Sequence, residues 1–268
     1  MITAIAEWLL PPRIKTLLRS VFSFVVGFTK VDSWETAERR SAGYESSDVL
    51  TPLMLGTMEM RVHLANSNLV NTRYQQVATA LFFSISENRI KDGKPLRILD
   101  FGGGSGDYFY QFQKFIPNIE FDWTVVETPA LAQAMQTKYG GETEQIRWVH
   151  SLEMTDDKYD FVLCSSVLQY VERPFEILEA IVKKSEFVVI NRIPLTKSSE
   201  NFVALQRILT KKKRGSYPAH FFSESSFLKT LSTYGSIPMR WVVIEDQPVI
   251  NWKAHKNQGL LLLVNSQH

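Results

Sequence analysis

Apolar and polar positions along this chain follow two periods, and the changes from one to the other mark out its elements. Between Leu96 and Ile190, short apolar runs of strand length recur: Leu96, Ile98 and Leu99, then Phe121 to Val126, Ile146 to Val149, Tyr159 to Cys164, and Phe187 to Ile190. Stretches of helical period lie between them. Tyr108, Phe109, Phe112, Phe115 and Ile116 fall on one face, Thr128-Pro129 opens a second helix that Gly140-Gly141 closes, and Pro174 opens a third. The last carries Phe175, Ile177, Leu178, Ile181 and Val182 on its apolar face, with Lys183 and Lys184 at its electronegative end. Strands alternating with helices at this interval predict a parallel sheet covered on both faces.

The alternation stops after the fifth run. A polar insert over roughly 196–218 leads to a helix from Ser223 to Tyr234, ended by Gly235. Two apolar runs follow, Met239 to Ile244 and Gly259 to Val264, and with no long helix between them they must pair antiparallel.

The N-terminal third reads as helical. Pro11 and Pro12 can open a helix over about 12–28 in which Ile14, Leu17, Leu18, Val21, Phe22 and Val25 line one face, away from Arg13, Lys15 and Arg19. Its uncharged run from Ser20 to Thr29 is about half of the ~20 residues that span a membrane, and the start lacks the charge pattern and cleavage site of a secretory signal. The helix therefore either docks on its own domain, the usual fate of an apolar face, or lies in a membrane interface. Cap helices are expected over about 48–90. Val70, Tyr74, Val77, Ala78, Leu81, Phe82 and Ile85 keep the period, and Asp92-Gly93 with Pro95 stops it. Met54, Met58, Met60 and His63 could line a pocket, although such spacing is more often plain packing. This gives an N-terminal helical region, 1–94, and a second domain, 95–268.

Composition narrows the function classes. With 268 residues, 44% of them hydrophobic, the chain can bury a full core, and a formal charge of +2 gives no long-range attraction to nucleic acid. The one basic run, Lys211 to Arg214, reads as a solvated loop. A single cysteine, Cys164, excludes an internal disulfide framework and fits a reducing, cytoplasmic compartment. No spacing resembles a zinc or calcium motif.

The chemistry concentrates where the first strand run ends. Asp100 leads into Phe101 and then Gly102, Gly103, Gly104, Ser105 and Gly106. Bare main chain there lets a nucleoside or phosphate-sized ligand lie against the backbone at the start of a helix. A dinucleotide fingerprint needs glycines at i, i+2 and i+5, but five residues beyond Gly102 stands Asp107, and five beyond Gly104 stands Phe109. The order Asp100-x-Gly102-x-Gly104-x-Gly106 instead resembles motif I of the class I S-adenosylmethionine-dependent methyltransferases. Glu127 at the end of the second run, the segment YDFVLCSSVLQYVERP and the terminal hairpin strengthen the resemblance. Ser33-Trp34-Glu35-x-Ala37, Ser41-Ala42-Gly43-Tyr44, LDFGGGSG, VVETP and LQYVERP together look like a group of bacterial methyltransferases often associated with surface-polysaccharide or O-antigen loci. That similarity runs from about Trp34 to the C-terminus.

The resemblance implies a Rossmann-like fold, with a seven-stranded, mostly parallel sheet ending in an antiparallel hairpin. It implies S-adenosyl-L-methionine as cofactor, with Asp100 near the ammonium, Gly102, Gly103, Gly104 and Gly106 against the amino-acid end, and Glu127 on the ribose hydroxyls. His150-Ser151-Leu152 would adjoin the adenine; Ser165, Ser166 and Gln169 would line the transfer side. A hydroxyl acceptor needs a base, for which His220 and His150 are the candidates. Asn191 and Arg192 suit a polar or anionic acceptor, and Trp148, Tyr170, Tyr217, Phe221 or Phe222 could stack on a sugar. The reading that follows is O-methylation of a sugar or glycan intermediate, without nucleic acid or metal. A nicotinamide-dependent oxidoreductase and a non-catalytic cofactor-binding scaffold subunit are the alternatives.

Overall fold

Six residues, Leu96–Phe101, make the central strand β2, and all but Arg97 are buried, as expected of a strand with neighbours on both edges and layers on both faces. The computed structural model that shows this describes residues 27–43, 51, 56, 59, 72–88, 94–142, 145–209, 214–243, 248–250 and 253–265. The predicted helix over 12–28, the pocket candidates Met54, Met58, Met60 and His63, and the basic residues Lys211 to Lys213 lie outside the described residues, apart from Gly27 and Phe28.

Around β2 the parallel strands assemble as predicted. It pairs in parallel with β3 (Phe121–Val126) and β5 (Phe161–Ser165), β3 pairs with β4 (Ile146–Val149), and β5 pairs with β6 (Phe187–Thr196). The last strand, β12 (Lys256–Val264), lies antiparallel between β6 and β9 (Gly235–Val243). The order β4-β3-β2-β5-β6-β12-β9 reverses between β2 and β5, which opens a crevice at the carboxyl ends of the strands.

Side chains of β2 alternate between two cores. Ile98 packs with Val77 and Leu81 of α2 (Thr72–Asn88), Phe109 and Phe112 of α3 (Asp107–Phe115), and Leu131 and Met135 of α4 (Pro129–Tyr139). Leu99 faces the other side, with Leu178 and Ile181 of α5 (Pro174–Val182) and Phe227 and Leu231 of α6 (Glu224–Tyr234). Tyr74, Val77, Ala78, Ala80 and Leu81 of α2 thus share one core with the central sheet. Among the described residues no helix is long and apolar enough to cross a membrane.

The expected polar insert is mostly strand. β7 (Phe202–Leu209) and β8 (Arg214–Ser223) form an antiparallel ribbon, and β1 (Gly27–Val31) adds antiparallel to the other edge of β7. Gly27 and Phe28, placed by the sequence at the end of an amphipathic helix, are therefore strand. Aromatic packing explains the switch: Phe28 meets the Phe221 ring edge-on at 5.2 Å, and Phe202 stacks on it at 5.0 Å. A short helix, α1 (Trp34–Arg39), capped by the Ser33 side chain accepting from the Thr36 amide, packs on the ribbon. Among the described residues the ribbon pairs with the main sheet at Leu195 beside Phe222 and Thr196 beside Ser223, which makes a sheet of ten strands where seven were expected.

Between these pairings and the core of β6 lies a bulge. Asn191 and Arg192 together oppose the single residue Gly259, and Arg192 takes a left-handed backbone with φ 57°. Gly259 is bare because the Trp241 indole crosses the position its Cβ would fill, on the way to donate from Nε1 to Asn191 Oδ1 at 2.9 Å. A Gly259→Ala substitution should push the indole aside and break that bond, costing roughly 1–3 kcal/mol in chemical denaturation and shifting the tryptophan emission. Unchanged stability would show that Trp241 repacks freely.

Candidate functional site

A cavity of about 680 Å³ occupies the crevice at the carboxyl ends of the parallel strands. It runs from the turn after β4, across β3, β2 and β5, to the bulge of β6 and the inner face of the ribbon.

Its floor is the glycine turn. Gly102 (φ 69°), Gly104 (φ 58°) and Gly106 (φ 79°) are all left-handed, a conformation that requires glycine here. A Cβ on Gly102 would strike the Val167 side chain, and one on Gly103 would strike the Asp100 carboxyl group. At Gly104 a Cβ would meet nothing, since that position opens towards the cavity, and its carbonyl is pinned by the Trp148 indole N–H at 3.1 Å. Gly106 does not line the cavity; it caps α3, in close approach to Ile146 and Trp148.

Asp100 lies beneath this turn, wholly buried. Trp123 Nε1 donates to its Oδ2 at 3.3 Å, while Oδ1 has no hydrogen-bond partner among the described residues. Burial, reinforced by the charges of Asp107 and Glu127 and only partly offset by the Trp123 bond, pushes its pKa up to about 8. Next to it, at the end of β3, Glu127 accepts from the Thr128 amide through Oε2 at 2.6 Å. His150, Ser151, Leu152 and Glu153 line the cavity beyond β4.

The opposite half is built differently. Ser165 and Ser166 line it at the end of β5, and Ser166 is left-handed with φ 60°. Tyr108, Ser165 and Asn191 form a closed polar triangle: Tyr108 and Ser165 share a bond of 2.9 Å, and the Asn191 amide reaches both, at 3.1 and 3.3 Å. Gln169 is buried and does not line the cavity, contrary to the expectation for it. Its amide instead donates to Ser166 Oγ and to the Arg192 carbonyl, each at 3.2 Å, clasping the two left-handed residues together. Arg192, Tyr170, Val171 and Ile177, with Gln206, Ile208 and Tyr217 from the ribbon, complete this end.

The two histidines expected near the chemistry are not together. His220 does not line the cavity: it alternates with Tyr217 along β8 and stacks against Trp34 at 4.6 Å, with Nε2 3.2 Å from the Glu172 carbonyl. Burial lowers its pKa. His150 does line the cavity, but β4 is four strands from β6, about 19 Å at the usual strand spacing. Phe221 and Phe222, considered as stacking platforms, are buried core. Sequence reasoning missed Trp123, Tyr108, Gln206 and Ile208. The alternation Phe202, Ala204, Gln206, Ile208 was the available signal for the last two.

No protein-family model matches the chain, and no curated protein is similar to it in sequence. Solved structures resemble it in fold. The N-terminal domain of EvdMO1 with SAH bound is 14% identical, with a TM-score of 0.50 over 73% of this chain and 83% of that one. The same domain in the presence of SAH and D-fucose is 13% identical over 78% and 97%, again with a TM-score of 0.50. An S-adenosylmethionine-dependent methyltransferase from Clostridium acetobutylicum is 11% identical, with a TM-score of 0.50 over 80% and 99%. The chain therefore has the α/β fold of these proteins.

The raised pKa of Asp100 has a pH signature. With a folded-state pKa of about 8 and an ordinary value once unfolded, the folded protein keeps a proton that the unfolded chain releases. That contribution is complete below about pH 4 and is lost as pH rises through about 8. Asp100→Asn removes the dependence, so the Tm of the variant relative to the native protein should climb between pH 5 and 8, by up to about 2–4 °C per pH unit. Parallel Tm profiles would show Asp100 to be ionised throughout.

Proposed function

We propose that this protein is an S-adenosylmethionine-dependent methyltransferase that O-methylates a sugar or surface-polysaccharide intermediate. The observation that carries the reading is Asp100: a buried carboxyl oxygen without a partner, under a turn of bare glycines, at the reversal point of the sheet. A buried polar atom with no partner is costly, and a cationic ligand group would remove that cost. The ammonium of S-adenosylmethionine is such a group, and the Gly102–Gly104 backbone leaves room for its amino-acid end. Glu127 would take the ribose hydroxyls, and the His150–Ser151 turn the adenine. Ser165 and Ser166 would border the methyl group, with Gln169 holding Ser166 in place. The cofactor supplies an electrophilic methyl group; the chain supplies orientation and a cavity that limits water, which carry much of the rate in such displacements.

The SAH in EvdMO1 supports the cofactor, and the D-fucose used with it supports a sugar acceptor. In this reading residues 95–268 carry the chemistry, within the cytoplasm. We keep neither histidine as the base, on the placements described above.

Calorimetric titration with S-adenosylhomocysteine tests the proposal. Binding in the micromolar range, with none for NADH, is expected; the reverse result would favour the oxidoreductase. Gly104→Ala directs a methyl group into the cavity and should weaken that binding at least tenfold, with circular dichroism unchanged.

A further inference from the structure

We propose that the acceptor oxygen is a carboxylate oxygen of an acidic sugar, held by Arg192, and that the product is a methyl ester. This inference rests on the methyltransferase reading above and names its acceptor.

Charge divides the cavity. Asp107, Glu127 and Glu153 line the half formed by β2, β3, β4 and the start of α3, with the buried Asp100 carboxyl group beneath it, whereas Arg192 is the one lysine or arginine among the described residues lining the cavity, at the far end. A cationic ligand suits the first half and an anionic group the second. Arg192 is also fixed in an unusual way. The bulge gives it a left-handed backbone, and Gln169 clasps its carbonyl together with the side chain of Ser166, which is left-handed too. Strained backbone kept by surrounding bonds at a cavity wall fits a positioned binding residue.

Around Arg192 the remaining surface describes a sugar. Gln206 lines the cavity and its buried Oε1 lacks a donor among the described residues, which a hydroxyl group would supply. Tyr170 and Tyr217 meet edge to face at 5.1 Å and 89°, and with Ile177 and Ile208 they make apolar walls for a ring.

Base chemistry decides which oxygen reacts. Among the described residues lining this half, from Ser165 to Tyr217, there is no aspartate, glutamate or histidine. A sugar hydroxyl must lose a proton to such a group, but a carboxylate is already ionised near neutrality. One carboxylate oxygen stays on the Arg192 guanidinium. The other donates a lone pair to the methyl carbon, and an oxygen–carbon bond forms as the carbon–sulfur bond breaks, leaving its electron pair on sulfur. The charges of the carboxylate and the sulfonium cancel, and no proton moves. The neutral ester no longer pairs with Arg192, which favours its release.

The test uses the full chain with D-glucuronate, D-glucose, D-glucose 6-phosphate and 4-hydroxybenzoate. Binding is read by calorimetry, with and without S-adenosylhomocysteine, and transfer by labelled methyl groups. D-Glucuronate should bind at least tenfold more tightly than D-glucose, and its label should leave as methanol in mild alkali. The kcat at saturating methyl donor should be flat from pH 6 to 9. Arg192→Asn, chosen because asparagine tolerates a left-handed backbone, should weaken D-glucuronate at least tenfold and leave S-adenosylhomocysteine within twofold. Equal binding of D-glucose, or an alkali-stable methyl ether, would overturn the proposal. Tightest binding of the phosphate would overturn the carboxylate, and tightest binding of 4-hydroxybenzoate the sugar. Absence of S-adenosylhomocysteine binding would instead overturn the parent reading, so the two failures are distinct.

Discussion

A carboxyl group sealed from water beneath a turn that has no side chains of its own is the constraint around which this molecule is arranged. Asp100 can lie where it does only because Gly103 offers no Cβ to collide with it, and Trp123 from the adjacent strand gives it one donor. Holding that geometry fixes the register of β2 against β3 and the packing of Val167 over Gly102. The start of α3 follows from Gly106. The same arrangement leaves Oδ1 without a hydrogen-bond partner among the described residues, an unfavourable burial in the floor of the cavity.

Much of this was legible from residue pattern. Five apolar runs separated by helical periods gave a parallel sheet, and each was found in its expected place, although β6 continues past Ile190 to Thr196. The glycine turn was readable because glycine is the residue that left-handed backbone favours most. What escaped had non-local causes. Phe202 to Leu209 looked like part of a polar loop because its flanks are polar, and only Phe28 and Phe221, distant in sequence, make it a strand. His220 looked like a base because loops near a site often carry one. Its strand alternates faces, however, and Trp34 covers the face it occupies. Gln169 illustrates the same limit at shorter range. Its position in the LQYVERP segment suggested contact with the cofactor, yet its amide is spent on Ser166 and Arg192.

The polar residues behind the cavity wall show how the sheet's antiparallel tail bears on the site. Trp241 belongs to β9, an edge strand, but its indole crosses β12 at Gly259 to reach Asn191, which in turn holds Tyr108 and Ser165. Removal of a methyl-sized space at Gly259 would thus be felt two strands away. The tail acts as a brace for side chains whose tips point elsewhere.

The ribbon of β1, β7 and β8 is attached to the main sheet through two residue pairs. All three strands pair chiefly with each other. Gln206, Ile208 and Tyr217 can therefore be exchanged, or the ribbon lengthened, without altering the register of β2, β3 and β5. Selection for a new partner molecule could act on this piece while the half of the cavity floored by the glycine turn stays as it is, so that one end of the crevice is free to change without the other.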